Sequence, residues 1–237
     1  MTKRNAARSA GLARWLSVLV VGFVAGAATV MLADPSGSQT RVLVASDASA
    51  VGHVHTDSSI TYAQLPKATK AEVDQVIARW ATKYATAGDA MKAGWFKGSR
   101  SLYGIGAHYV RSAFSGAAKF DLLNPNILLF DGDGADAKFA GVSYVIAGKP
   151  VGFTGNYDSW HSHESVCRQG GTITSLTQEN SPVWLSASEC IARGGSLMPL
   201  ASDQMLHVWI GPGYRGAPIF AHDNPKLFDG YNPKRDA

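Results

Sequence analysis

The sequence lacks the stripe of Arg and Lys residues with interleaved aromatic side chains that is typical of a nucleic-acid-binding surface. Its net charge is only +4, and several of the basic residues stand in the first 14 positions. The rest of the chain therefore has little excess positive charge, and we expect no nucleic-acid partner. The sequence also has no internal repeat. Charged residues make up 17% of the chain and apolar residues 46%. Roughly 180 residues follow the N-terminal segments, which suits one domain with its own core.

Cysteine is scarce, since Cys167 and Cys190 are the only two in the chain. A pair of this kind favours a disulfide if the protein lies in an oxidising compartment. The alternative is that Cys167 is a thiolate ligand of a metal beside His163, as in a copper site.

Charge is absent from residues 15–33, and basic residues stand before this run. At 1.5 Å per residue, a helix of this length nearly spans a hydrocarbon core of about 30 Å. The positive-inside rule predicts that residues 1–14 lie in the cytoplasm. Residues 15–33 are then an uncleaved signal anchor, whose partner is the membrane, or a cleaved signal peptide. In both cases the remainder is extracytoplasmic, either as a single-pass membrane protein or as a secreted one.

Residues 34–60 are rich in Ser, Ala, Asp and Gly, a composition that predicts a flexible tether. His53 and His55 lie within it, and we interpret them as solvated tether residues. Residues 61–237 form the predicted extracytoplasmic domain.

Helical signals come first in this domain. Thr69 and Glu72 have the spacing of a capping box and predict the start of a helix. Apolar residues then recur at helical spacing, at Val73, Val76, Ile77, Trp80 and Tyr84. Asp89 is the predicted cap of a short second helix. A second capping box, Ser186 with Glu189, predicts a helix that contains Cys190.

Strand signals follow from about residue 100. Residues 127–130 and 139–147 flank an Asp-Gly turn, which predicts a hairpin. Residues 172–177 and 205–210 are further predicted strands. The fold class is therefore α+β, with N-terminal helices packed on an antiparallel sheet or partial β-barrel, preceded by one transmembrane or signal helix.

The candidate metal-binding site of the domain consists of histidines. If residues 160–167 form a strand, His161 and His163 lie on one face and can bind the same metal ion. His108 and His207 each lie in a segment with an adjacent or nearby aromatic residue and are candidates to complete the site. Neutral imidazole suits zinc and copper, so the predicted cofactor is a divalent ion of one of these metals.

Three carboxylates near the histidines, Asp158, Glu164 and Asp203, are candidates to orient the imidazole rings. Glu164 is also a candidate general base for a hydrolase. Strand alternation would turn it away from His163, which argues against hydrolysis.

Two resemblances add to this. Gly155, His161 and His163 resemble the start of the cupin motif, whose His-x-His pair binds metal inside a jelly roll. In cupins the Glu comes several residues later than Glu164 does here. A longer series of segments is similar to a group of exported bacterial proteins of unknown function, found in actinobacteria. These segments are Gly106–Val110, Phe120–Pro125, Leu128–Phe130, Gly141–Tyr144, Trp160–Cys167, Leu206–Trp209 and Phe220–Pro225. The resemblance implies export and suggests that the histidine segments belong together.

Three functions fit these patterns. The first is an exported protein that binds a divalent metal through the histidines and handles metal at the cell surface. The second is a metal-dependent enzyme, an oxygenase or hydrolase acting on a small molecule. The third is a binding or structural domain without metal. The sequence does not decide whether the protein is an enzyme, nor which small molecule or protein is its partner.

Overall fold

A computed structural model describes residues 59–112, 117, 119–148, 151–177, 183–200 and 203–236, together with three short strands nearer the N-terminus. The chain divides into two units, Met1–Gly52 and His53–Ala237. The larger unit is α+β, with antiparallel sheets and few helices, as predicted.

The N-terminal unit contains β1 (Val21–Val24), β2 (Ala27–Met31) and β3 (Arg41–Val42), which form an antiparallel sheet in that order. The described backbone within residues 15–33 is thus extended, whereas a single helix was predicted there. The remainder of that segment, residues 1–14 and most of the tether lie outside the described residues. Within the described part of the chain, no helix has the length and apolar character needed to cross a membrane.

The predicted first helix exists but begins earlier than its capping box suggested. A short 3-10 helix, Tyr62–Gln64, is followed by α1 (Lys67–Trp80), whose N-cap is Pro66. Thr69 lies inside α1 and donates its hydroxyl hydrogen to Thr154 O at 2.6 Å. Glu72 accepts hydrogen bonds from the backbone and the hydroxyl of Thr154, both at 2.7 Å. The capping interpretation was therefore wrong, because both side chains instead hold a loop that is distant in sequence.

Two short helices follow with well-formed caps. The helix α2 (Ala87–Lys92) is capped by Thr86, and the predicted cap, Asp89, is its capping-box partner. The helix α3 (Ala187–Ala192) has the predicted box, in which Ser186 and Glu189 bond each other's backbone N–H groups. Each box satisfies N–H groups that would otherwise lack a partner at the helix start.

The larger sheet contains five antiparallel strands in the order β11-β7-β6-β5-β4. They are β4 (Phe96–Lys97), β5 (Ala107–Val110), β6 (Ile127–Asp131), β7 (Lys138–Ala147) and β11 (Asp203–Val208). The predicted hairpin is confirmed, since β6 pairs with β7 across the Asp-Gly turn. The sheet is open, with β4 and β11 as its edges, and does not close into a barrel.

The smaller sheet contains β8 (Ser165–Gln169), β9 (Thr172–Leu176) and β10 (Ser196–Pro199), in the order β10-β8-β9. The predicted disulfide is present and joins Cys167 on β8 to Cys190 on α3. The thiolate-ligand alternative for Cys167 is therefore wrong.

The two faces of the larger sheet bury different partners. On β11, Leu206 and Val208 belong to the main core, which also contains Val73, Val76 and Trp80 of α1. Met205 and Trp209 belong to a second cluster on the opposite face. Side chains alternate along a strand, so His207 lies on this second face. By the same alternation on β5, His108 lies there too, because its neighbours Ala107 and Tyr109 are in the main core.

Candidate metal centre

Five of the seven histidines meet in one buried cluster. The four predicted ligands are His108, His161, His163 and His207, and the structure adds His222. Their exposed fractions are between 1% and 6%. Ring centroids lie 5.0 Å apart for His161 and His207 and 5.4 Å apart for His108 and His207. The rings of His222 and His161 are closer still, at 4.4 Å. We call these five residues the histidine cluster.

The His-x-His pair is held by an irregular segment, not by a strand. The strand β8 begins only at Ser165, so the prediction of a continuous strand over residues 160–167 was wrong. His161 instead forms an isolated bridge with Met205. The two residues exchange backbone hydrogen bonds of 2.9 and 2.6 Å. This bridge places His161 beside β11 at Met205, which is two residues before His207. The ring centroids of His161 and His163 still lie 5.2 Å apart.

His222 reaches the cluster on a loop that is held by His207 of β11 and by Trp209, which directly follows that strand. Trp209 Nε1–H donates to Ala221 O at 2.8 Å, and His207 Nδ1–H donates to His222 O at 2.7 Å. On the other side, the backbone N–H of Asn224 donates to Gly104 O at 2.7 Å. The loop is therefore fixed on both sides of His222.

His108 and His207 meet across the width of the sheet. The strands β6 and β7 separate their strands, and three strand spacings amount to about 14 Å in a flat sheet. Their Nε2 atoms nevertheless lie 3.3 Å apart. The two side chains therefore lean toward each other across this face of the sheet. Ser143 on β7, directly opposite His207, presents only a small side chain there.

Three members of the cluster can hold a metal ion. His161, His163 and His222 each offer a ring nitrogen, and these nitrogens lie within 4.8 Å of one another. Zinc and copper bind imidazole nitrogen at about 2.0–2.1 Å, and three histidine ligands are a common set for zinc. The donor set therefore fits a divalent transition metal.

The Nδ1 atoms of three rings are directed to oxygen acceptors. His161 Nδ1–H donates to Ser159 O at 3.2 Å, and His207 Nδ1–H donates to His222 O. His222 Nδ1 lies 2.8 Å from Asp223 Oδ1. Carbonyl oxygens only accept, so in the neutral rings of His161 and His207 the hydrogen is on Nδ1 and the lone pair is on Nε2. Metal-binding histidines are usually oriented in this way.

Burial keeps three of the rings, those of His108, His161 and His207, neutral. Burial, followed by the proximity of His222, lowers the pKa of His108 to about 4. Burial also lowers the pKa values of His161 and His207 well below the ordinary range for histidine. Neutral imidazole is the form that binds metal, so His108, His161 and His207 are in their ligand form at physiological pH.

The three predicted orienting carboxylates have different positions. Asp158 Oδ2 accepts from Phe153 N–H at 2.8 Å and from Trp160 Nε1–H at 3.3 Å, so it fixes the loop before His161. Burial raises the pKa of Asp158 to about 6. Glu164 is exposed. Asp203 lines a small cavity together with His163.

Sequence reasoning missed His222 and Asp223, because they lie in a loop without periodic structure. The available signal was the segment Phe220–Pro225, in which His and Asp precede Asn224. That asparagine caps the 3-10 helix Pro225–Leu227 by accepting from Lys226 N–H at 3.0 Å. A rigid turn directly after a His-Asp pair indicates a fixed position for both side chains.

A small cavity adjoins the cluster. Its volume is about 30 Å³, and His108, His163 and His207 line it together with Ser99 and mostly apolar side chains. A cavity of this size holds a water molecule, which needs about 10–15 Å³, or a ligand of similar size.

No family model, curated protein or solved structure matches this chain. The resemblances to cupins and to exported bacterial proteins therefore stay predictions.

Proposed function

We propose that this protein is an exported domain that binds a divalent transition metal, zinc or copper, through His161, His163 and His222. The observation that carries the proposal is the convergence of three buried imidazole nitrogens within 4.8 Å of one another. These residues come from two segments that are about 60 positions apart, as expected of a site specified by the fold.

Support for export comes from two independent features. The disulfide between Cys167 and Cys190 fits an extracellular location, because disulfides persist in oxidising compartments. The basic residues before the uncharged run 15–33 favour an N-terminus in the cytoplasm and a domain outside it. Residues 15–33 either anchor the domain in the membrane or are removed, and the N-terminal residue of the purified protein distinguishes the two.

Ligand burial favours retention of a metal ion over rapid exchange. The three histidines have exposed fractions of 4–6%, so an ion bound by them is shielded from water and from competing chelators. Such a site suits storage, sequestration or structural use of the metal at the cell surface.

A metal-dependent enzyme is the second candidate, and the adjoining cavity favours only one version of it. Sites for organic substrates occupy about 300–1,000 Å³. The cavity beside His108, His163 and His207 is about 30 Å³. It therefore accepts water or a diatomic molecule, which is compatible with oxygen chemistry and argues against hydrolysis of a larger substrate.

The test is the metal content of the full-length chain after expression in a bacterial host, export and purification. We expect at least one zinc or copper ion per chain by mass spectrometry, and loss of that ion in the variants His161→Ala, His163→Ala and His222→Ala. The control is the double variant His53→Ala/His55→Ala, which alters histidines of the predicted tether.

Two outcomes contradict the proposal. If the wild-type chain neither contains nor takes up metal, the third interpretation, a domain with histidines in its core, replaces it. If the protein is found in the cytoplasm with reduced cysteines, export is wrong. The N-terminal residue of the purified protein, read by mass spectrometry, separates the anchored form from the cleaved one.

A further inference from the structure

We propose that the histidine cluster is a two-metal centre, in which His108 and His207 hold a second divalent ion beside the one bound by His161, His163 and His222. This inference rests on the proposed function and deepens it. It starts from the distance of 3.3 Å between His108 Nε2 and His207 Nε2. Two nitrogens bound at about 2.0–2.1 Å to one tetrahedral ion are about 3.4 Å apart, so the pair already has the separation of two ligands of one ion.

The hydrogen positions give a second, independent argument. His207 donates Nδ1–H to His222 O, which leaves a lone pair on its Nε2. For His108 the decisive partner is Ser99, whose hydroxyl donates to Arg100 O at 2.9 Å. Ser99 Oγ also accepts from the backbone N–H of His108 at 2.9 Å and lies 3.1 Å from His108 Nδ1.

A hydroxyl has one hydrogen and two acceptor positions. In the arrangement that places the Ser99 hydrogen on Arg100 O, the hydrogen between Ser99 Oγ and His108 Nδ1 belongs to the histidine. His108 Nε2 then carries a lone pair as well. Two lone pairs face each other at 3.3 Å in a buried region, and a shared cation is the arrangement that turns this repulsion into attraction.

Ser143 adds a polar atom to the same place. It lies directly opposite His207 in the register of β7 and β11, so the two side chains share a face. Ser143 is fully buried, and its Oγ has no hydrogen-bond partner among the residues that the structure describes. Buried polar atoms normally have a partner. A ligand of the second ion, such as a bound water, supplies one.

The cavity completes the coordination. His108 and His207 both line it, and its volume of about 30 Å³ admits a water-sized ligand. The second ion thus has two protein ligands and open positions toward this space. The first ion has three protein ligands.

Metal stoichiometry tests this inference separately from the proposed function. The full-length apo chain is equilibrated with excess Zn²⁺, desalted and analysed for zinc per chain. We expect two ions for the wild type and for the control His53→Ala/His55→Ala. We expect one ion for His108→Ala/His207→Ala.

The more conservative variant His108→Asn retains a polar side chain and guards against failure to fold. We expect it also to bind one ion, and the ion that it retains shows that the rest of the cluster is intact. Copper gives a second readout. Two adjacent Cu²⁺ ions couple magnetically, so the paramagnetic resonance signal should account for much less than the bound copper, and His108→Asn should restore it.

One ion in the wild type, still present in His108→Asn, overturns the two-metal centre and leaves the proposed function in place. The His108–His207 contact is then an ordinary hydrogen bond, with Ser99 donating to His108. No ion in the wild type overturns both proposals.

Discussion

Replacement of Asp223 by Asn should weaken metal binding without removing any metal ligand. Asp223 Oδ1 lies 2.8 Å from His222 Nδ1, so its negative charge acts directly on that ring. The Asp223 side chain packs closely against Gly104, where an added Cβ would come within 3.0–3.2 Å of it. Asparagine has nearly the same shape as aspartate. It lacks the negative charge that makes His222 a stronger donor to the metal.

The expected loss of metal affinity follows from the loss of this negative charge. Replacing such an orienting partner lowers metal affinity by about 10–100-fold. At a free-metal concentration of about 100 Kd, binding stabilises the wild type by about 2.7 kcal/mol. For a domain of this size that corresponds to a rise in Tm of about 5–11 °C. At the same metal concentration the variant should gain about 0.4–1.4 kcal/mol, which is a rise of about 1–6 °C.

The assay is thermal unfolding of apo and Zn²⁺-loaded protein, with isothermal titration for the affinity itself. Glu164→Gln is the matched control, since it removes one carboxylate next to His163 from an exposed side chain. It should keep the wild-type shift. The reasoning is refuted if Asp223→Asn retains the full metal-induced rise in Tm, or if Glu164→Gln loses as much of it.

Three further predictions concern stability. The double variant Cys167→Ser/Cys190→Ser opens a loop of sequence separation 23 and should lower the free energy of unfolding by about 3 kcal/mol, measured by urea denaturation. Gly195→Ala places a Cβ 2.7 and 2.8 Å from the sulfurs of Cys167 and Cys190 and should lower the free energy of unfolding by about 1–3 kcal/mol. The control Gly216→Ala has nothing within 4 Å of its added Cβ and should leave that free energy unchanged. Equal effects of the two substitutions would contradict the packing argument. Burial raises the pKa of Asp158 from 3.8 to about 6, so the folded protein holds the carboxyl proton more tightly than the unfolded chain does. The resulting contribution to the free energy of unfolding is fully present below pH 3.8 and is lost as pH rises through 6. Asp158→Asn should remove this part of the pH dependence, up to about 3 kcal/mol, and a stability profile between pH 4 and 8 that matches the wild type would refute it.

Features set by neighbouring residues were predictable from the sequence. The Ser186–Glu189 capping box formed as expected, because both partners lie within one turn of α3. The hairpin of β6 and β7 followed from the Asp-Gly turn between two apolar runs. The alternation on β11 correctly separated Leu206 and Val208 from the face that carries His207.

Features set by distant residues were not predictable in this way. Thr69 and Glu72 have the spacing of a cap, but Thr154, more than 80 residues away, binds both of them. His161 is fixed by its bridge to Met205, not by a strand of its own. A single sequence contains no signal for either contact, because each joins residues that are far apart in the chain.

The histidine cluster has a polarity that packing alone does not explain. A core selected for stability would fill this volume with apolar side chains, since buried polar groups stabilise a fold only when their hydrogen bonds are made. Here the carbonyl oxygens of Ser159 and His222 fix the Nδ1 sides of His161 and His207. These two oxygens belong to segments far apart in sequence, so the Nε2 sides of the two rings are directed from separate parts of the fold. Orientation imposed from separate segments is what a metal site requires before the ion arrives, and it is the reason that we interpret the cluster as a binding centre and not as an accident of the core.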